Sequence, residues 1–238
     1  MSERNIGDNE ESVSANAKTQ DETRCKVPLT LHIQSAFNRM GHLAGDAVNA
    51  YKRLFNVSPG DAKGLYLKKA QAADLRGDAG KCVEYAAKAA ELAKDDPQVL
   101  YELGVAYEKN ADPKAALEAY DQALKAAPRH AKAHYRSGIV QMGLRQYKAA
   151  LKSLEAARQI EPDSAEVNYR LGLAHDRLSD YEKALKFFAR AVEINPKFLV
   201  AHKNMALACE SLGRHEEGLA CLKRALEIEE EVTPGRRR

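Results

Sequence analysis

The sequence repeats itself every 34 residues, and this period constrains the fold more than any other feature. Gly104, Gly138 and Gly172 form one such series, extended in both directions by Ala70 and Ala206. Ala116, Ala150 and Ala184 form a second, and Ala123, Ala157, Ala191 and Ala225 a third. Tyr120, Leu154 and Phe188 share one position, and Tyr147, Tyr181 and His215 another. Pro128, Pro162 and Pro196 close three units. A period of this length fits two short helices joined by a turn. The small residue midway along the first helix lets the second approach its backbone. The alanines of the second helix admit the following unit, and the proline ends that helix before the next begins. Alanine supplies about 40 of the 238 residues, aromatics only 6% and tryptophan none. That composition suits helices packed at close range.

Five units are predicted, over 63–96, 97–130, 131–164, 165–198 and 199–232. The clearest reads Leu103-Gly104, Tyr107, Ala116, Tyr120, Ala123-Leu124 and Pro128. This order resembles the tetratricopeptide repeat. The resemblance implies an all-α fold, a right-handed α-solenoid of five helix–turn–helix repeats. The outer two are degraded, with Lys69-Ala70, Ala73 and Cys82 in the first, and Met205-Ala206, Cys209 and Gly218 in the last. Terminal repeats lack a neighbour on one face, so departures are expected there.

Residues 29–59 read as a sixth, degenerate unit, with Ala47, Tyr51 and Pro59 where a second helix would place alanine, the aromatic and the closing proline. A second pattern overlaps it. Ile33, Phe37, Met40, Ala44, Ala47, Tyr51 and Leu54 step by four and three, as on one face of a helix. Gly41 and Gly45 favour a break between two helices. Either way the segment must bury an apolar stripe, as a cap on its own solenoid or by docking on another copy. Residues 1–28 are polar and expected to be disordered, and 233–238 form a basic tail ending in Arg236-Arg237-Arg238. The solenoid divides into halves at 29–130 and 131–232, with the Pro128-Arg129-His130 junction as a candidate hinge.

Several function classes are excluded. No stretch approaches 18 apolar residues, and the N-terminus lacks the apolar core of a signal peptide. A cytoplasmic protein is expected, so the Asn56-Val57-Ser58 sequon is read as chance. A net charge of +3, from 37 basic and 34 acidic side chains, does not point to nucleic acid. Cys25, Cys82, Cys209 and Cys221 form no C-x-x-C pair, and the last three sit among apolar helical positions as small buried thiols. Gly77-Asp78-Ala79-Gly80-Lys81 lacks the spacing and the Ser/Thr of a phosphate loop and reads as a turn between helices. His130 and His134 are four apart but have no third ligand, and His175 and His202 read as packing residues. No catalytic constellation, metal site or cofactor site is expected, and the chain is read as a non-enzyme.

What remains is a binding surface. In tetratricopeptide repeats the first helix of each pair lines the concave face, and the resemblance carries the inward positions onto this chain. The fifth position of successive units gives Tyr101, Tyr135, Tyr169 and then Lys203. The sixth gives Glu102, Arg136, Arg170 and Asn204, and the ninth gives Val105, Ile139, Leu173 and Leu207. A tyrosine ladder with an apolar rung and two arginines suits a peptide with apolar and acidic side chains, since Tyr and Arg are enriched at binding hot spots. Those tyrosines could equally fill space between repeats. Domains that grip C-terminal carboxylates resemble one another in carrying Asn at the ninth position. Here that position is always aliphatic, so no such clamp is expected.

The whole order resembles, more narrowly, the magnetosome-associated tetratricopeptide proteins of magnetotactic bacteria. The matching stretches are Leu29-Thr30-Leu31, Asp46-Ala47, Phe55-Asn56-Val57, Leu103-Gly104-Val105-Ala106-Tyr107, Leu171-Gly172-Leu173-Ala174 and the run from Gly213 to Leu219. The resemblance implies a peripheral coat on the cytosolic side of the magnetosome membrane. Such a coat assembles from copies of itself, recruits other proteins and reaches the membrane through a protein partner. In this reading Ile33, Phe37, Met40, Tyr51 and Leu54 form the self-assembly segment. The fifth unit is followed by only a short tail, so no capping helix is expected over its last face, which favours head-to-tail contacts. The alternative is a monomeric adaptor whose groove takes a short motif of another protein.

Overall fold

The computed structural model describes residues 59–232. The expected polar tail, the basic tail and all of the degenerate unit but Pro59, with Ile33, Phe37, Met40, Tyr51 and Leu54, lie outside these residues; Pro59, expected to close that unit, instead opens the first described helix. The described residues form ten helices and no strand. In order they are α1 (Pro59–Leu75), α2 (Ala79–Leu92), α3 (Pro97–Lys109), α4 (Pro113–Ala126) and α5 (Ala131–Gly143). Then follow α6 (Tyr147–Ile160), α7 (Ala165–Arg177), α8 (Tyr181–Ile194), α9 (Leu199–Ser211) and α10 (His215–Val232). Each packs on its sequence neighbours, and first helices of successive pairs also touch, α1 on α3 and α5 on α7. This is the all-α solenoid that the period predicts. Helix α1 starts at Pro59, ahead of the predicted unit start at 63, because a proline is tolerated in the first turn of a helix.

The small-residue series has a direct steric cause. A methyl group added at Gly138 would lie 2.6 Å from Leu154 Cγ, and one at Gly172 would lie 2.5 Å from the Phe188 ring. The equivalent atom at Gly104 would collide with the Tyr120 ring. Tyr120, Leu154 and Phe188 are wholly buried, so the three middle repeats trade a side chain on one helix for a large one on the other. In the first repeat the same two positions hold Ala70 and Ala86, both buried. There neither helix carries a large side chain, and the pair is balanced by two methyl groups.

A second 34-residue series is visible only in the backbone. Gly77, Ala111, Arg145, Ser179 and Gly213 all have φ between 58° and 74°. Each lies just beyond a first helix, and the next residue's N–H returns to a carbonyl five residues back, as in Asp112 to Tyr107 at 3.0 Å and Gln146 to Gln141 at 2.8 Å. That is the Schellman ending, which requires a left-handed residue. The following residue then opens the second helix, and Asp78 and Asp112 accept N–H bonds there from Lys81 and Ala115 at 3.1 Å. Glycine meets the left-handed requirement in the outer repeats, but Ala111, Arg145 and Ser179 meet it at a steric cost. Ala111→Gly should therefore stabilise the protein by about 0.5–1 kcal/mol, the relief of left-handed strain less glycine's extra unfolded-state entropy. Thermal unfolding by circular dichroism checks this, with a midpoint rise of about 2 °C expected.

The junctions between pairs are tied by a third series. His134 Nε2, Asn168 Nδ2 and His202 Nε2 donate to the carbonyls of Pro128, Pro162 and Pro196 at 3.0, 3.2 and 3.1 Å. Each side chain thereby satisfies a carbonyl of the turn that follows the preceding helix. His130 caps α5 instead, accepting from the Ala133 N–H at 3.1 Å through Nδ1. His175 stacks on Phe187 with ring centroids 5.3 Å apart, and burial pulls its pKa down. Cys82 and Cys209 are buried, and burial raises both thiol pKa values, as expected of packing residues.

Candidate protein-binding groove

The first helices α3, α5, α7 and α9 carry the residues that the resemblance assigns to the groove. Concavities open between neighbouring first helices. One of about 440 Å³ lies against α1 and α3, with Ala70, Val105 and Ala106 among its apolar lining. Another, of about 610 Å³, lies between α5 and α7 over Ile139, Met142 and Leu173. The ninth-position residues Val105, Ile139 and Leu173 thus face open space, and Leu207 is exposed.

The tyrosine ladder is bound into the repeat junctions. Tyr101 is half-buried between Tyr120, at 5.8 Å between centroids, and His130, at 5.1 Å. Tyr135 packs against the cluster of Leu154, Ala157, Val167 and Leu171. Tyr169 lies between Phe188 and Phe198, at 5.7 and 5.0 Å, and its hydroxyl accepts from Asn204 Nδ2 at 2.8 Å. Burial raises the Tyr169 pKa, against the opposing pull of Arg170 and Asn204. These half-buried rings hold neighbouring repeats in register.

The cations divide into two sets. Arg136 lies 3.5 Å from the Glu108 carboxylate, which also accepts a short bond from the Tyr120 hydroxyl. Burial works against the charge on Arg136, and Glu108 with Tyr101 holds it charged. Burial and the Glu108 contact keep the Tyr120 phenol protonated. Lys203 is paired with Glu229 at 3.1 Å, and Lys109 with Asp74. Arg170, by contrast, lies over its neighbour Tyr169 at 5.9 Å and makes no ion pair with a described residue. Arg145 and Arg177 share its concavity. Of these three, the resemblance marks Arg170 alone. Arg145 occupies the left-handed turn and Arg177 the last turn of α7, positions at which an arginine carries no sequence signal.

Chemically the concavities combine aliphatic side chains with guanidinium and ammonium groups. Among the described residues no three His, Cys, Asp or Glu side chains come together as a metal-binding group, and no helix is long and apolar enough to cross a membrane.

Comparison with known proteins agrees with this architecture. Three stretches match the tetratricopeptide repeat, at residues 97–130, 135–197 and 202–232. No curated protein matches the chain significantly. Among solved structures it is similar to MamA residues 41 to the end from Desulfovibrio magneticus RS-1, at 30% identity and a TM-score of 0.69, over 73% of this chain and 98% of that one. A double mutant of RS-1 MamA gives 29% identity and a TM-score of 0.71, over 74% and 99% of the two chains. YrrB, described as a tetratricopeptide protein with an unusual peptide-binding site, shares the fold at 23% identity and a TM-score of 0.60, over 72% and 86%. The chain belongs to the tetratricopeptide-repeat family and is similar to MamA within it.

Proposed function

We propose that this protein is a non-catalytic interaction scaffold that assembles head to tail from copies of itself. The amphipathic segment 29–59 of one copy covers apolar surface left open by the repeats of the next, in the groove and at its far end. The observation that carries this reading is the end of the solenoid. Leu222 occupies the position of Tyr120, Leu154 and Phe188, which are wholly buried, yet it is 42% exposed. Leu185 is buried, and its counterpart Leu219 is 65% exposed. Leu219, Leu222 and Leu226 lie on one face of α10, at steps of three and four. An array of repeats with an exposed apolar end face favours a further partner stacked on it. The stripe of Ile33, Phe37, Met40, Tyr51 and Leu54 is a complementary surface of the right kind.

By resemblance to MamA, the assembly would coat the cytosolic face of the magnetosome membrane and recruit other proteins there, reaching the membrane through a protein partner. The discriminating variant is Leu219→Glu with Leu226→Glu. Both side chains are more than half exposed, so the fold should lose no more than about 0.5 kcal/mol. The mass by light scattering is expected to fall while the helical circular dichroism stays unchanged. An unaltered mass would remove the end face from the assembly.

A further inference from the structure

The last repeat places two thiols where its neighbours place a non-covalent tie. In the third repeat the eleventh and twenty-third positions are Gln141 and Ser153, hydrogen-bonded across α5 and α6 at 2.9 Å. In the fourth they are His175 and Phe187, stacked across α7 and α8 with centroids 5.3 Å apart. In the fifth they are Cys209 on α9 and Cys221 on α10, and their thiols interact directly. The two helices run close here. A methyl group added at Gly218, one turn before Cys221, would lie 3.5 Å from Cys209 Cβ and 3.4 Å from the Ala206 carbonyl oxygen. Helices this close bring facing Cβ atoms to the separation a disulfide spans, about 3.5–4.5 Å. Cys82 differs, because the buried cluster around it consists of alanines and holds no second thiol.

The two thiols are also unequal, which sets an order of reaction. Cys209 is 2% exposed, whereas Cys221 is half-buried. Burial raises both pKa values, but the contact between the thiols favours the thiolate of Cys221 and disfavours that of Cys209. The thiolate is the nucleophile, and access decides which thiol meets an oxidant first.

We infer that Cys209 and Cys221 form a reversible disulfide that staples α10 to α9, with a small-molecule disulfide such as oxidised glutathione as the oxidant. The Cys221 thiolate attacks one sulfur of the oxidant, whose S–S bond breaks, and the first glutathione leaves and takes a proton. The Cys209 thiolate then attacks the Cys221 sulfur of the mixed disulfide and expels the second glutathione, which is protonated in turn. The protein loses two electrons and two protons, and one oxidised glutathione becomes two reduced ones. The bond lies within one copy and does not depend on self-assembly. Its effect falls on the helix that the fold holds least. Helix α10 makes its main contact with α9, while Leu219, Leu222 and Leu226 on its outer face are exposed.

The test treats the reduced full chain with oxidised glutathione at mildly alkaline pH, where more thiol is ionised. The product is denatured, labelled with a maleimide and weighed. The reduced chain has four cysteines to label. The treated chain should take two labels fewer, and peptide mapping should join Cys209 to Cys221 within one chain. Dithiothreitol should restore every label. Cys209→Ala should stop at the mixed disulfide on Cys221, and Cys221→Ala should leave Cys209 free. Both variants should fold, since the same positions hold Ala73 in the first repeat and Ala119 in the second. Hydrogen exchange then reads the staple. A crosslink closing a loop of about a dozen residues shifts an opening equilibrium by up to about a hundredfold, less any strain. The α10 amides should therefore exchange at least about tenfold more slowly in the oxidised chain than in the reduced one. A treated chain that takes every label, a bond to Cys25 or Cys82, or a lasting glutathione adduct on Cys221 of the parent would each overturn the disulfide. Equal α10 exchange in the two forms would overturn the staple.

Discussion

Gly172→Ala is expected to destabilise the protein by about 2 kcal/mol, although alanine is the better helix former. The substitution gains about 1 kcal/mol of helix propensity. Against that, the new methyl group would lie 2.5 Å from the ring of Phe188, which is wholly buried and cannot swing into solvent. Overpacking a well-filled core costs about 1–3 kcal/mol, and a rigid ring in direct collision belongs at or above the upper end. Phe188→Ala alone should cost about 3–5 kcal/mol through the cavity it leaves. The double variant recreates the Ala70–Ala86 pair of the first repeat. It should therefore be more stable than the sum of the two single losses predicts. Urea denaturation followed by circular dichroism, analysed as coupled repeats, measures all three. A Gly172→Ala variant as stable as the parent would show that α7 and α8 can separate freely, contrary to the steric basis given for the period.

Glu108→Ala is expected to cost about 2–3 kcal/mol, the range for losing hydrogen bonds to a charged group and leaving their partners unsatisfied. Glu108 Oε1 accepts from Tyr120, whose ring is wholly buried, and Oε2 lies 3.5 Å from Arg136 in the next repeat. The carboxylate therefore joins the two helices of one pair to the first helix of the following pair. Its side chain is only 17% exposed, so water replaces little of what is lost. Arg136→Gln should cost less, because the guanidinium is 40% exposed and Tyr120 still serves the carboxylate. The same denaturation series checks the order. A Glu108→Ala variant within 0.5 kcal/mol of the parent would mean that the Tyr120 hydroxyl finds water without loss.

The two predictions show which parts of the fold are legible in sequence. The glycine–aromatic pairing is legible because a steric conflict admits few solutions, and the same solution recurs at 104, 138 and 172. The left-handed turn is not, although its period is as strict. Ala111, Arg145 and Ser179 tolerate the conformation at modest cost, so residue identity varies while the backbone does not. The roles of histidines 134 and 202 emerge only with the geometry, because histidine and asparagine at that position do the same work.

The groove was partly legible for a related reason. Periodicity places Tyr101, Tyr135 and Tyr169 on the first helices but cannot say how far each ring turns into the junction. The structure turns all three inward against core residues. Charge pairing is a property of space, not of spacing. The resemblance makes Arg136 and Arg170 equivalent rungs, whereas one is engaged by Glu108 and the other faces an open concavity with Arg145 and Arg177.

Size-exclusion chromatography with light scattering tests the central claim most directly. It compares the full chain with one beginning at Ser58, just before α1, at low and high salt. The account predicts that the full chain elutes as an assembly well above one 26.3 kDa protomer. It predicts that the shortened chain, keeping its helical circular dichroism, runs at the mass of a single copy. A full chain that is monomeric under both conditions, or a shortened chain that assembles as fully as the parent, would contradict it.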